Sequence, residues 1–165
     1  MKYSKFKTIK LSVLLNKSEC LVDINTLIIK EGCLEDMPMF VNSEVIIDMD
    51  CVERNLSIEQ GRAGTPNKSM DSAFVISDNI NIEILLVEYR FNYTKMKNLD
   101  KASLLGKVIG SISALNPMLN IHPRYFYIFN SDLKNQAIRR FRNMNPSMPN
   151  DYIATDISEL KALYF

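Results

Sequence analysis

Three charged residues interrupt apolar runs in the middle of the chain: Asp71, Glu88 and Arg90. Asp71 opens the run Ser72-Ala73-Phe74-Val75-Ile76-Ser77. Glu88 follows Ile84-Leu85-Leu86-Val87, and Arg90 comes two residues later. Both runs read as strands, over Ser72 to Ser77 and Ile82 to Phe91. The turn Asp78-Asn79-Ile80-Asn81 separates them, with Asp and Asn tolerating the dihedrals that turns need. Antiparallel strands joined by so short a turn bring Asp71 and Glu88 together. Paired carboxylates repel each other unless a cation sits between them. Glu88 and Arg90, two apart, project from one strand face. A guanidinium there is a good phosphate clamp but cannot give up a proton as a base.

The elements that must position these residues can be read around them. Ser43 has the character of a helix N-cap with Glu44 in the first turn. Val45, Met49, Val52 and Leu56 then recur on one helical face, predicting a helix over residues 43–56 with Glu53 at the margin of its apolar stripe. Leu56 to Gly61 reads as a short strand, and Gly61 to Asn67 as a loop by its Gly and Pro content. Ile84 to Val87 is apolar on both faces, as in a central strand. A helix from about Leu99 to Leu115 follows, with Leu105, Val108, Ile109 and Ile112 in its stripe and Asn116-Pro117 at its end. Gly106 and Gly110, four apart, suggest a close approach to another element. Tyr125 to Phe129 is strongly β-leaning. Asn130, Ser131 or Asp132 caps a helix that reaches about Asn143. Residues 145–150 form a loop, and residues 156–163 a last short helix. Earlier in the chain, Lys5 to Leu15 and Cys20 to Ile29 are apolar-rich and β-leaning but of ambiguous type, and Asp36-Met37-Pro38 breaks what precedes it. The order from Ser43 to Asn143 is therefore helix, three strands, helix, strand, helix, an α/β layout with a mixed sheet.

Composition bounds the rest. The 165 residues are 47% hydrophobic and 24% charged, which predicts one domain with a single good core. The apolar runs are too short to span a bilayer, and no secretory leader is expected at the N-terminus. Cys20, Cys33 and Cys51 lack CxxC spacing and read as free, buried thiols in a reducing cytosol. The lone histidine, His122, sits before Pro123 in an expected loop, and no zinc set or two-histidine mechanism can be assembled around it. GxSxG, GxGxxG and Walker motifs are absent. The net charge of +1 hides a polarised chain. Residues 31–60 hold eight acids against one base, and residues 85–145 hold ten bases against three acids. A basic surface suits a polyanion, and an acidic cluster suits a metal or a basic partner.

On Glu53, Asp71 and Glu88-Tyr89-Arg90, within the helix–meander–helix–strand order, residues 43–143 resemble the core of the PD-(D/E)XK nuclease superfamily, the restriction-endonuclease-like fold. The resemblance implies a metal-dependent nuclease hydrolysing phosphodiester bonds in DNA or RNA. Asp71 and Glu88 would hold Mg²⁺ or Mn²⁺ with Glu53 assisting, since such hard ions take oxygen ligands. The metal would lower the pKa of a bound water and neutralise phosphate charge. Arg90 stands where the family has lysine, so a lysine near the attacking water must come from elsewhere. Lys68, Lys95 and Lys101 are the candidates, with Lys68 and Arg90 engaging phosphate. Lys95, Lys101, Arg139, Arg140 and Arg142 would bind the nucleic acid. Residues 1–42 would extend the sheet or form a homodimer interface.

A second reading is a non-enzymatic interaction protein: a degenerate nuclease fold, or an immunity-type protein that binds a partner by charge complementarity through residues 31–60. Singly, each of these charges also suits a plain structural role, such as a solvated strand-edge pair or a complement to a helix end. Convergence of Glu53, Asp71 and Glu88 on one pocket favours the nuclease, and their scatter favours the binder.

Overall fold

The computed structural model describes residues 1–33, 40, 43–62, 64–115 and 120–165. The chain folds as an α/β protein around a mixed sheet. In order the strands are β1 (Lys2–Tyr3), β2 (Leu21–Asp23), β3 (Val45–Asp48), β4 (Ser72–Ser77), β5 (Ile82–Tyr89), β6 (Ile121–Phe129) and β7 (Tyr152–Asp156). The helices are α1 (Lys5–Leu14), α2 (Ile24–Lys30), α3 (Met49–Glu59), α4 (Lys101–Leu115), α5 (Lys134–Asn143) and α6 (Ile157–Tyr164). Strands β2 to β7 lie side by side in chain order, and β1 pairs with the far end of β4. β2 to β5 are antiparallel, whereas β5, β6 and β7 run parallel. Parallel neighbours need long crossovers, which α4 and α5 supply.

Helices cover both faces of this sheet. Leu11, Val52, Leu104, Val108 and Phe141 from α1, α3, α4 and α5 meet Ile47, Ala73, Leu86 and Tyr127 on one side. Ile24, Leu27, Ile157 and Leu160 from α2 and α6 meet Phe74, Ile76, Leu85 and Val87 on the other. β5 accordingly sends Leu86 to one core and Leu85 and Val87 to the other, as its doubly apolar run predicts.

Ser72 to Ser77, the 78–81 turn and the last short helix fall where the sequence places them, and α4 and α5 begin about two residues later than expected. Several expectations need correction. Residues 43–56 do not form one helix: Val45 to Asp48 is a strand, and the helix starts at Met49, capped by Asp48, whose side chain accepts from Cys51 N at 2.9 Å. Asp48 is as good a cap as Ser43, and in the β-branched run Val45-Ile46-Ile47 pairing with β2 and β4 buries Ile46 and Ile47 completely. The expected strand at Leu56 to Gly61 is instead the last turn of α3, to Glu59, followed by its cap Gln60 and a turn at Gly61. Lys5 to Leu15 and Cys20 to Ile29 are mainly helical, because Ser4 and Asp23 cap α1 and α2. β7 has no counterpart among the predicted elements. His122 lies in β6 rather than in a loop, its Nδ1 accepting from Arg124 N. None of Asn130, Ser131 and Asp132 caps α5, where Leu133 occupies the cap position without a side-chain bond. The three cysteines are not all free: Cys20 and Cys51 form a disulfide that ties the start of β2 to α3, and Cys33 alone is a buried thiol. The predicted breaks at Asp36-Met37-Pro38 and Asn116-Pro117 lie outside the described residues. Among the described residues no helix is long and apolar enough to cross a membrane.

Candidate functional site

Asp71 immediately precedes β4, and Glu88 lies near the end of β5. The antiparallel register pairs Ser72 with Val87, so one step further sets Asp71 against Glu88. Both side chains are buried, 5% and 1% exposed. Tyr89 N donates to Asp71 Oδ2 at 2.6 Å, and the Asp71 carbonyl accepts from Met49 N at the start of α3.

The cation between these acids comes from the chain itself. Lys107 Nζ, on α4, is 3.1 Å from Asp71 Oδ1 and 2.7 Å from Glu88 Oε1. Arg90 Nη2 is 2.8 Å from the same Glu88 oxygen. Arg90 Nη1 donates to the Tyr93 hydroxyl, and the guanidinium lies 4.9 Å above the Tyr93 ring. Its Nε is buried without a partner among the described residues.

A short strap holds Asp71 in place. Residues 67–70 cross α4 where Gly110 leaves no room for a side chain: a Cβ there would lie 1.9 Å from the Lys68 carbonyl oxygen. Ser111 Oγ accepts from Met70 N at 2.7 Å, and Ser69 Oγ donates to Asp50 Oδ1 at 2.6 Å. The close approach expected of Gly106 and Gly110 is thus to this strap, with Gly110 the position that requires it.

These residues open on a small cavity of about 130 Å³, lined by Glu31, Asp71, Glu88, Arg90, Tyr93 and Lys107, with Tyr89 and Asn92 completing the wall. Glu31 ends α2, and Gly32 (φ +95°) follows it with the Asn92 side chain where a Cβ would stand. Burial and the Asp71 carboxylate push Glu88 up to about 8, against Arg90 and Lys107. Burial also raises Asp71, opposed first by Lys107. For Glu31 the causes are burial and then Asp71. Burial alone would lower Lys107, but the Glu88 and Asp71 carboxylates outweigh it and hold it above the usual lysine value.

The remaining expected residues are dispersed. Glu53 is buried but does not line the cavity. Its Oε1 accepts from Arg62 Nη2 at 3.0 Å and Asn67 N at 2.7 Å, so its carboxylate anchors the strap. Lys68 Nζ donates to Ser103 Oγ. Lys101 Nζ donates to the carbonyls of Pro146 and Ser147, and Arg140 Nη2 to that of Leu99. Lys95, Arg139 and Arg142 are exposed. Much of the acidic stretch is spent internally: Asp48 pairs with Lys30, Asp50 takes Ser69, and Glu59 pairs with the buried Lys17. Lys107 and Glu31 line the cavity but are not among the site residues expected from the sequence. Lys107 had a signal, being the single charged residue between Ala102 and Leu115.

Among the described residues, no group of three or more His, Cys, Asp or Glu side chains is arranged to hold a metal ion. The cavity nonetheless has three carboxylates against two cations, leaving it one negative charge in excess when all are ionised. Comparison with protein-family models, with curated proteins and with solved structures finds no match for this chain.

Proposed function

We propose that this protein is a divalent-metal-dependent nuclease, with Asp71, Glu88, Lys107 and Arg90 as its working residues. The observation that carries the reading is the meeting of Lys107 with both sheet carboxylates. A nuclease of the PD-(D/E)XK kind needs two acids and a lysine, and here α4 supplies the lysine that the Glu88-Tyr89-Arg90 strand lacks. The meander β3–β4–β5 followed by α4 and parallel β6 supports the restriction-endonuclease-like resemblance. One departure stands: α3, with Glu53, lies between the first and second meander strands rather than before the first.

The donor set fits Mg²⁺ or Mn²⁺. Mg²⁺ keeps several waters and is bound through one or two carboxylates together with substrate phosphate, and Asp71 and Glu88 offer hard carboxylate oxygens on adjoining strands. When bound there, the ion would neutralise phosphate charge and lower the pKa of a coordinated water. The chain's own residues supply the rest. Arg90 presents a permanent cation to the phosphate. Lys107 is held protonated by its two carboxylates, so it would serve as a fixed cation beside the phosphate rather than as a base. Its side chain is 19% exposed, enough to reach a ligand from that position.

The test is cleavage of plasmid DNA and of RNA with Mg²⁺, Mn²⁺ or chelator, comparing the native chain with Asp71→Asn and Lys107→Gln. Metal-dependent cleavage should fall by about 10²-fold or more in each variant, the size expected when a group that stabilises transition-state charge is removed. A folded native chain that cleaves neither polymer overturns the reading. One observation favours a non-enzymatic interaction protein as the second reading: Lys107 and Arg90 already satisfy the carboxylates as a closed ion-pair network, which needs no ligand.

A further inference from the structure

A second cavity, of about 440 Å³, lies between α5, the loop after it and β7. Its walls divide by chemistry. The buried Phe141 and Met148 form its apolar floor and the half-buried Tyr152 its aromatic wall, while Ser147, Asn150 and Arg142 offer hydrogen-bonding groups and a cation. Ligand cavities of this size combine apolar walls with a few polar groups. Arg142 is exposed and has no ion-pair or hydrogen-bond partner among the described residues. The chain has no acid from Leu133 to Asn150. Asp151 acts on the Tyr125 and Tyr152 hydroxyls and does not line the cavity.

The cavity has a fixed relation to the Asp71–Glu88–Lys107 site. Glu88 pairs with Tyr127, and Tyr127 with Ala154 of the cavity wall. Two strand spacings of about 4.8 Å put these residues roughly 10 Å apart along the sheet. Lys101, on the same helix as Lys107, holds the Pro146 and Ser147 carbonyls of the cavity loop. A nucleic-acid strand rises about 3.4 Å per stacked nucleotide, so it covers the interval in about three nucleotides.

From this we infer that the α5–β7 cavity receives one base of a single-stranded nucleic acid, with Arg142 on the adjoining phosphate. Aromatic walls with a cation beside them are what single-strand binding uses, because every base has a face to stack. The inference rests on the nucleic-acid part of the function proposed above and not on cleavage.

The test is fluorescence anisotropy with labelled oligo-dA, oligo-rA and a blunt duplex, in chelator so that binding is read without turnover. The chains compared are native, Asp71→Asn, Arg142→Gln, Ser147→Trp and Asn150→Trp. Ser147→Trp and Asn150→Trp fill the cavity from exposed loop positions, and a thermal melt checks their folding. Each should weaken single-strand binding about tenfold, the value of one stacked base. Arg142→Gln should reduce the salt slope by about one. Native-like binding by both folded Trp variants, preference for the duplex, or no binding by the native chain overturns the inference. Single-strand binding that the Trp variants weaken, with no cleavage by the native chain, upholds it while the nuclease reading fails. Cleavage that Asp71→Asn abolishes but the Trp variants leave untouched, together with their native-like binding, sinks the inference alone.

Discussion

Lys107 on α4 reaches both carboxylate oxygens of Glu88 on β5, its Nζ donating to Oε2 at 2.9 Å and ion-pairing with Oε1 at 2.7 Å. With Asp71 on the other side, one ammonium offsets the repulsion between two acids that the sheet register forces together. Removing one partner from a buried ion pair leaves charge uncompensated, typically at a cost of several kcal/mol.

Lys107→Ala should therefore lower unfolding stability by about 3 kcal/mol. The loss should be smaller at about pH 5 than at about pH 8.5, because the orphaned acids can protonate in the folded state. Urea unfolding at the two pH values measures this. Mg²⁺ should raise the melting temperature of Lys107→Ala more than that of the native chain, since the ion then enters an empty position between the carboxylates.

Glu88 has a folded pKa of about 8 against an ordinary 4.5. A folded state that binds the proton more tightly gains stability at low pH and loses it as pH rises through the window between those values. Relative to Glu88→Gln, which does not titrate, the native chain should lose stability between about pH 4.5 and 8, by about 1.4 kcal/mol per unit at most. Difference curves from urea midpoints that rise with pH in that window would contradict this.

The strap that sets Asp71 makes two further substitutions informative. Gly110→Ala places a methyl against the Lys68 carbonyl, and overpacking of this kind costs about 1–3 kcal/mol. Ser111→Ala leaves the Met70 N–H without its acceptor, at a similar cost. Both lie outside the cavity wall, yet both should displace Asp71. Activity falling further than stability would show that displacement, and calorimetry beside cleavage rates separates the two effects.

The Cys20–Cys51 bond closes a loop with a sequence separation of 31 residues. Thiol titration of the denatured, unreduced chain should find one reactive cysteine, Cys33. Cys20→Ser with Cys51→Ser should cost about 3–4 kcal/mol by the loop-closure relation. Three reactive thiols would remove the bond from the description.

Much of the site was written in the chain locally. Charges cannot lie inside an apolar strand run without a partner, so Asp71, Glu88 and Arg90 announced themselves, and the short 78–81 turn fixed their pairing. Periodicity and β-propensity likewise marked β4, β5, α4 and the core of β6. Where two local codes competed, sequence failed. Ser43 and Asp48 are both helix caps, and Val45 to Ile47 suits either a helical stripe or a strand. Only pairing with β2 and β4 decides for the strand, because it buries Ile46 and Ile47 completely. Proximity across long separations was equally invisible. Cys20 meets Cys51, Glu53 turns to Arg62 and Asn67, and Lys107 crosses from α4 to two strands, because packing layers against a sheet brings together residues whose spacing carries no periodic signal. The sequence by itself thus determined that two acids needed a cation. The tertiary structure decided that Lys107 provides one, since only the docking of α4 across β4 and β5 brings its ammonium to them.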